Sequence, residues 1–163
     1  MDHQGCVRVL AVLLVFACAR SCASSCWTEA GTQYGIDPIL LKAIAWQESH
    51  GHPNAVGPTL PDGNVAIGQL QINTNHLPEL SQYGIQRKDL FNACTSEKLG
   101  AWVLRNCIQQ FGSTWKAVGC YYAGPKSRNV AAQAAYVRAV KRNYAGYKAQ
   151  QPAVPTIALQ NEK

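Results

Sequence analysis

Apolar positions along this chain fall mostly at helical spacing. Thr28 to Tyr34 reads as a short helix stopped by Gly35. Asp37 followed by Pro38 predicts an N-cap with proline in the first turn, and Leu40, Leu41, Ile44 and Ala45 carry that helix on toward Gly51. Residues 52–66 contain Pro53, Gly57, Pro58, Pro61 and Gly63, so a long loop is expected. Val65 to Asn73 is apolar and short; it fits a strand or the tight start of a helix, and periodicity does not decide. A helix is expected from about Thr74 to Gln82, interrupted near Pro78. Thr95 or Ser96 would cap the next, whose stripe is Leu99, Trp102, Val103, Cys107 and Phe111 up to Gly112. Ser113 would cap a helix over Thr114 to Tyr122, Gly124-Pro125 reads as a turn, and Asn129 to Tyr147 predicts a last amphipathic helix through Val130, Ala134, Val137 and Val140. There is no internal repeat. The fold class expected is mainly α, a single domain over residues 24–149, with a small irregular or β element.

The two ends differ from this middle. Val9 to Ala19 is an apolar run of 11 residues after Arg8, and Ser21-Cys22-Ala23 supplies small residues. Residues 1–23 therefore read as a secretory signal peptide cleaved near Ala23, too short to span a membrane. Residues 150–163 hold two prolines and no periodicity, and read as a disordered tail.

Export changes the meaning of the cysteines. Of the 7 in the chain, cleavage removes Cys6, Cys18 and Cys22 and leaves Cys26, Cys94, Cys107 and Cys120. An even number in an exported domain predicts two disulfides, with three possible pairings. Cys26–Cys94 and Cys107–Cys120 are favoured, the second joining consecutive helices over a short loop. A zinc site is the alternative, but no cysteine pair has ligand spacing and His50, His52 and His76 are scattered. No metal or cofactor is expected. The net charge of +6 suits an anionic polymer or surface. Because the basic residues are dispersed, nucleic acid is not expected as a partner.

Glu48 is the most informative single residue. It follows Ile44 by four residues and Leu41 by seven, which places a carboxylate on the core-facing stripe of its helix. Burial there would raise its pKa and keep the acid partly protonated near neutrality. The alternative is a helix end where the stripe surfaces and Glu48 is solvated. Seven acids lie between Cys26 and Tyr147: Glu29, Asp37, Glu48, Asp62, Glu79, Asp89 and Glu97. Asp37 is explained as a cap and Glu97 by the first turn of a helix. Glu29, Glu79 and Asp89 read as solvated. Asp62, in the loop, is the one plausible second carboxylate. Trp46, Trp102 and Trp115 read as core rather than as sugar platforms, and Trp27 as packing beside Cys26.

Four motifs in order carry a resemblance. Gln47-Glu48-Ser49 with Pro53, Asn54 and Ala55 following, Ala66-Ile67-Gly68-Gln69-Leu70-Gln71-Ile72, Ala117 to Pro125, and Tyr136-Val137 resemble the motifs of lytic transglycosylases of the goose-type-lysozyme-like fold. The cysteine placement and single-domain layout look most like specialised enzymes of type III and type IV secretion or conjugation systems. The resemblance implies a lysozyme-like periplasmic enzyme, a monomer, with peptidoglycan glycan strands as substrate and secretion or conjugation machinery as partner. Glu48 would protonate the bond between N-acetylmuramic acid and N-acetylglucosamine, then accept the proton of the sugar's own 6-hydroxyl, giving a 1,6-anhydro product. Ser49, Gly68, Gln71, Tyr121, Tyr122 and Tyr136 would be the substrate-binding positions. Tyr122 stands where the family usually has Asn, Cys120 where it has Ala, and Gln69-Leu70 where Leu-Met is common. Tyr121 and Tyr122 also fit plain packing, and Gln71 a turn cap. Two rival functions remain: a hydrolytic muramidase using Asp62, and a non-catalytic peptidoglycan-binding assembly protein.

Overall fold

A computed structural model describes residues 25–112 and 114–151. The expected signal peptide with its three cysteines, the expected Ser113 cap and the chain from residue 152 lie outside the described residues. Helix α1 (Cys26–Tyr34) begins earlier than periodicity predicts because Ser25 caps it, its side chain accepting from the Thr28 amide at 3.4 Å. Helix α2 (Pro38–Ser49) starts where expected, with Asp37 accepting from the Ile39 amide at 2.8 Å. Ile39, Leu40, Leu41, Ala43, Ile44 and Ala45 are all buried. A helix apolar on nearly every side must be covered by others. Here α1 and α6 (Val130–Ala149) pack on it.

The ambiguous apolar stretch is a hairpin. Strands β1 (Ala66–Ile67) and β2 (Ile72–Asn73) pair antiparallel, Ala66 with Asn73 and Ile67 with Ile72. Residues 68–71 form its loop, and Leu70 at the tip is fully buried. Residues 74–83 then form a 3-10 turn, the four-residue helix α3 (Leu77–Leu80) and a second 3-10 turn. Pro78 sits in the first turn of α3, so the helix expected here is shorter than predicted.

Helix α4 (Ala93–Phe111) starts from Asn92, not from Thr95 or Ser96. The Asn92 side chain accepts from the Thr95 amide at 3.0 Å. Ser96 is buried instead, its hydroxyl accepting from the Leu70 amide at 3.2 Å. Helix α5 (Thr114–Ala123) packs on α4 and α6. In α6 the predicted stripe enters the core only after the first turn: Val140 is buried while Val130 is 72% exposed. Trp27, Trp102 and Trp115 pack partly buried against the core. Trp46 does not; it is 46% exposed, because the last turn of α2 runs out of the core.

The structure pairs Cys26 with Cys94 and Cys107 with Cys120, the favoured connectivity. Both bridges end on α4, tying it to α1 and α5. They close separations of 68 and 13 residues. Chain entropy gives each a stabilisation of roughly 3–4 kcal/mol. No helix among the described residues is long and apolar enough to cross a membrane.

Hairpin and α4 meet through a missing side chain. A Cβ on Gly100 would lie 2.4 Å from Leu70 Cδ1 and 3.0 Å from Leu70 Cβ. Gly100→Ala should therefore lift the hairpin tip and destabilise the fold by about 1–3 kcal/mol, despite the better helix propensity of alanine. Thermal melting against the parent chain checks it; an unchanged or higher melting temperature contradicts the packing described.

Candidate active site

Three helices and the hairpin converge on Glu48. The last turn of α2 carries the carboxyl out of the core and leaves the residue partly buried. Tyr136, buried in α6, donates its hydroxyl to Glu48 Oε1. Loss of water raises the Glu48 pKa from its ordinary value to about 7, and the Tyr136 hydrogen bond pulls it partly back. Tyr122 of α5 stacks on Tyr136, ring centroids 4.7 Å apart and planes 19° apart, and is itself 51% exposed. An open aromatic surface thus adjoins the acid. The Tyr121 hydroxyl points instead at the hairpin, donating to the Leu70 carbonyl at 2.6 Å. Burial first, and then the nearby Glu48 charge, hold the phenols of Tyr121 and Tyr136 well above their usual pKa. Both remain protonated donors.

The hairpin loop is held rather than free. Ser49, next to the acid, donates to the Gln69 carbonyl at 2.8 Å. Gly68 has a φ of 80°, and a Cβ there would lie 2.3 Å from the Leu90 carbonyl oxygen. Internal packing accounts for glycine at this position. Gln71, also left-handed with a φ of 48°, turns its amide nitrogen onto the Gly68 carbonyl at 2.8 Å and the Ala55 carbonyl at 3.4 Å. Its amide nitrogen is therefore engaged in capping the turn. Asp62 stands apart: it is exposed, and hydrogen bonds from Asn64, including its amide at 3.0 Å, lower its pKa. Among the described residues no hydrogen bond joins it to Glu48.

Sequence reasoning missed the residues beneath the loop. Gln69 is 5% exposed, and its amide nitrogen donates to Glu97 Oε1 at 2.8 Å and to the Ala93 carbonyl at 3.0 Å. Glu97 is also 5% exposed and lies beyond the first turn of α4, so the helix dipole does not account for it as expected. Burial raises its pKa, opposed by the Gln69 hydrogen bond. The available signal was Gln69 inside an apolar run, between Ile67 and Leu70; the polar stretch Thr95-Ser96-Glu97-Lys98 gave none for Glu97.

Comparison with known proteins bears on the family of the chain. Residues 25–144 match the Transglycosylase SLT domain family. The X polypeptide of Escherichia coli is 37% identical over 143 residues, covering 86% of this chain and 84% of the relative. Invasion protein IagB of Salmonella typhimurium (strain SL1344) is 35% identical over 122 residues, covering 74% and 76%. A peptidoglycan-binding-like protein of Escherichia coli O157:H7 is 37% identical over 109 residues, covering 63% and 65%.

Two substitutions test the site as built. Tyr136→Phe removes the bond that favours ionised Glu48, so the Glu48 pKa should move above about 7. Carboxyl-carbon NMR titration reads this directly; a lower value refutes the assigned balance. Glu97→Leu strips the buried Gln69 amide of one acceptor and should destabilise by about 1–3 kcal/mol in denaturant unfolding.

Proposed function

This chain belongs to the transglycosylase SLT family, whose members are lytic transglycosylases acting on peptidoglycan, and we propose how Glu48 carries that reaction here. Protonated Glu48 gives its proton to the oxygen linking N-acetylmuramic acid to N-acetylglucosamine. The bond from that oxygen to the anomeric carbon breaks, and N-acetylglucosamine leaves with a free 4-hydroxyl. The 6-hydroxyl of the muramic sugar then bonds to the anomeric carbon while its proton passes to the Glu48 carboxylate. The acid is regenerated, a 1,6-anhydro ring closes and no water is consumed.

One observation carries this reading: a single carboxyl with a pKa of about 7, able to serve first as acid and then as base near neutrality. Most glycosidases need a second carboxylate for water or for a covalent intermediate. Asp62, solvated and engaged with Asn64, gives hydrolysis no support. In our reading, Tyr122 and Tyr136 border the reacting sugar. Ser49, Gly68, Gln71 and Tyr121 act on it through the loop that they hold.

Two disulfides and a wall-directed domain accord with an exported protein, and we place the mature chain in the periplasm after cleavage near Ala23. Similarity to a protein named for invasion supports a role in opening local gaps in the wall for a secretion or conjugation apparatus.

Digestion of purified sacculi by the mature chain should release products one water lighter than hydrolytic muropeptides, with 1,6-anhydro ends, by mass spectrometry. Reducing-end products would mean hydrolysis and would bring Asp62 back. Cleavage should fall as pH rises through about 7, where the acid loses its proton. Glu48→Gln should abolish cleavage. It should also stabilise the fold at pH 8: a carboxyl whose pKa is raised on folding binds more protons folded than unfolded, so stability falls from about pH 4.5 to 7 and stays low above. The amide escapes this loss, on the order of 2–3 kcal/mol. A Glu48→Gln chain that still cleaves sinks the mechanism.

A further inference from the structure

A surface groove lies between the end of α2 and the C-terminal half of α6, lined by Trp46, Arg142, Asn143, Gly146, Tyr147 and Gln150. Its volume is about 370 Å³. Small-ligand sites run from about 300 to 1,000 Å³. Trp46 precedes Glu48 by two residues, roughly 200° around the helix. The indole therefore projects on the side of α2 away from the acid, and the groove is separate from the catalytic cleft.

Two features of this groove have no explanation inside the fold. The first is the exposed indole, 46% open to solvent. His50 meets its ring edge-on, centroids 4.9 Å apart and planes at 82°. The ring's orientation is thus set before any ligand arrives, which lowers the entropy lost on binding. The second is Gly146, inside α6. Glycine there is about 1 kcal/mol less favourable than alanine. Gly31 and Gly100 are glycine for a reason, since a Cβ on either would collide with Pro38 or Leu70. A Cβ on Gly146 would meet nothing within 4 Å. The helix forgoes a side chain where the groove is open, leaving its backbone approachable.

We propose that this groove is a second glycan-binding site, which takes an N-acetylated aminosugar of a peptidoglycan strand outside the catalytic cleft. The proposal rests on peptidoglycan being the substrate. A pyranose ring has an apolar C–H face, which fits the Trp46 and Tyr147 rings, and a polar edge, which fits the amides of Asn143 and Gln150. The carboxylates of the stem peptide fit Arg142. A nucleic-acid strand would need a row of cations, and the lining holds one. Because the ligand is a polymer, occupancy of this groove holds the chain on the wall and raises the local concentration of scissile bonds at Glu48.

The test uses two substitutions in a non-cleaving Glu48→Gln mature chain, read by co-sedimentation with purified sacculi. Gly146→Leu fills the groove while improving helix propensity, so its melting temperature should match or exceed the parent's. Trp46→Ala removes the platform. Each should weaken retention on sacculi roughly tenfold, equivalent to about 1.4 kcal/mol. With Glu48 intact, both should cleave short soluble glycan strands at the parental rate. The tetramer of N-acetylglucosamine, titrated into isotope-labelled protein, should shift the Trp46 indole and Gly146 amide signals as a set distinct from those around Tyr136. Parental retention by a folded Gly146→Leu chain, or no shift at Trp46 and Gly146, overturns the groove. Failure of the parent to release anhydro ends would instead overturn the catalytic reading, and the binding assay would still decide the groove.

Discussion

The hydrogen bond from Tyr136 to Glu48 joins residues 88 positions apart. Its value depends on what surrounds it. Desolvation alone would drive the carboxyl toward a permanently neutral acid, and an exposed site would leave it a permanent carboxylate. The tyrosine hydroxyl offsets part of the desolvation, and the pKa settles at about 7. That balance holds only while α2 and α6 keep their register. Two other contacts fix it: Asn143 donates to the Ala43 carbonyl at 3.4 Å and Tyr144 to Asp37 at 2.7 Å. As residue numbers fall along α2 they rise along α6, so the three contacts lock an antiparallel pair from end to end.

The hairpin tip supplies the other half of the frame. Gln69 and Leu70 receive hydrogen bonds from Ser49 of α2 and Tyr121 of α5, and give them to Ser96, Glu97 and the Ala93 carbonyl of α4. Four elements are thus joined through two loop residues. Buried polar networks are stabilising only when their members are satisfied. Here one atom is not: Glu97 Oε2 is buried with no hydrogen-bond partner among the described residues. A glutamine side chain at the loop tip requires an acceptor from α4, and Glu97 provides it.

The helices and the α2 cap were legible because each rests on local chemistry; of the two disulfides only Cys107–Cys120, 13 residues apart, is close in sequence, while Cys26–Cys94 spans 68 and was favoured among three pairings rather than dictated. Asp37-Pro38 dictates a helix start whatever surrounds it. The place of Glu48 was legible for a similar reason, since four- and seven-residue spacing from Ile44 and Leu41 fixes its side of the helix. What the sequence did not disclose depends on partners distant in the chain. Ser96 reads as a cap until the Leu70 amide, 26 residues away, claims its hydroxyl. Glu97 reads as a first-turn acid until Gln69 arrives. Trp46 reads as core because tryptophan usually is, but no local rule says that α2 leaves the core one turn before its end. Tyr121 and Tyr122 are adjacent and alike in sequence, yet one hydroxyl binds the hairpin and the other ring lies open on Tyr136.

That last turn of α2 accounts for both surfaces that we assign to the glycan. Residues two apart on a helix face roughly opposite sides, so Trp46 and Glu48 project from one rigid turn into different spaces. Neither depends on a mobile segment for its direction. Under the proposal, a wall strand held at Trp46 is tied to the cleft through a single helical turn. The opposite arrangement, with the acid and the outer ring on separate loops, would lose orientation to loop entropy each time the chain settled on the wall. The stretch from Ile39 to Ala45 is buried, so the turn that carries both side chains continues directly from a segment anchored in the core.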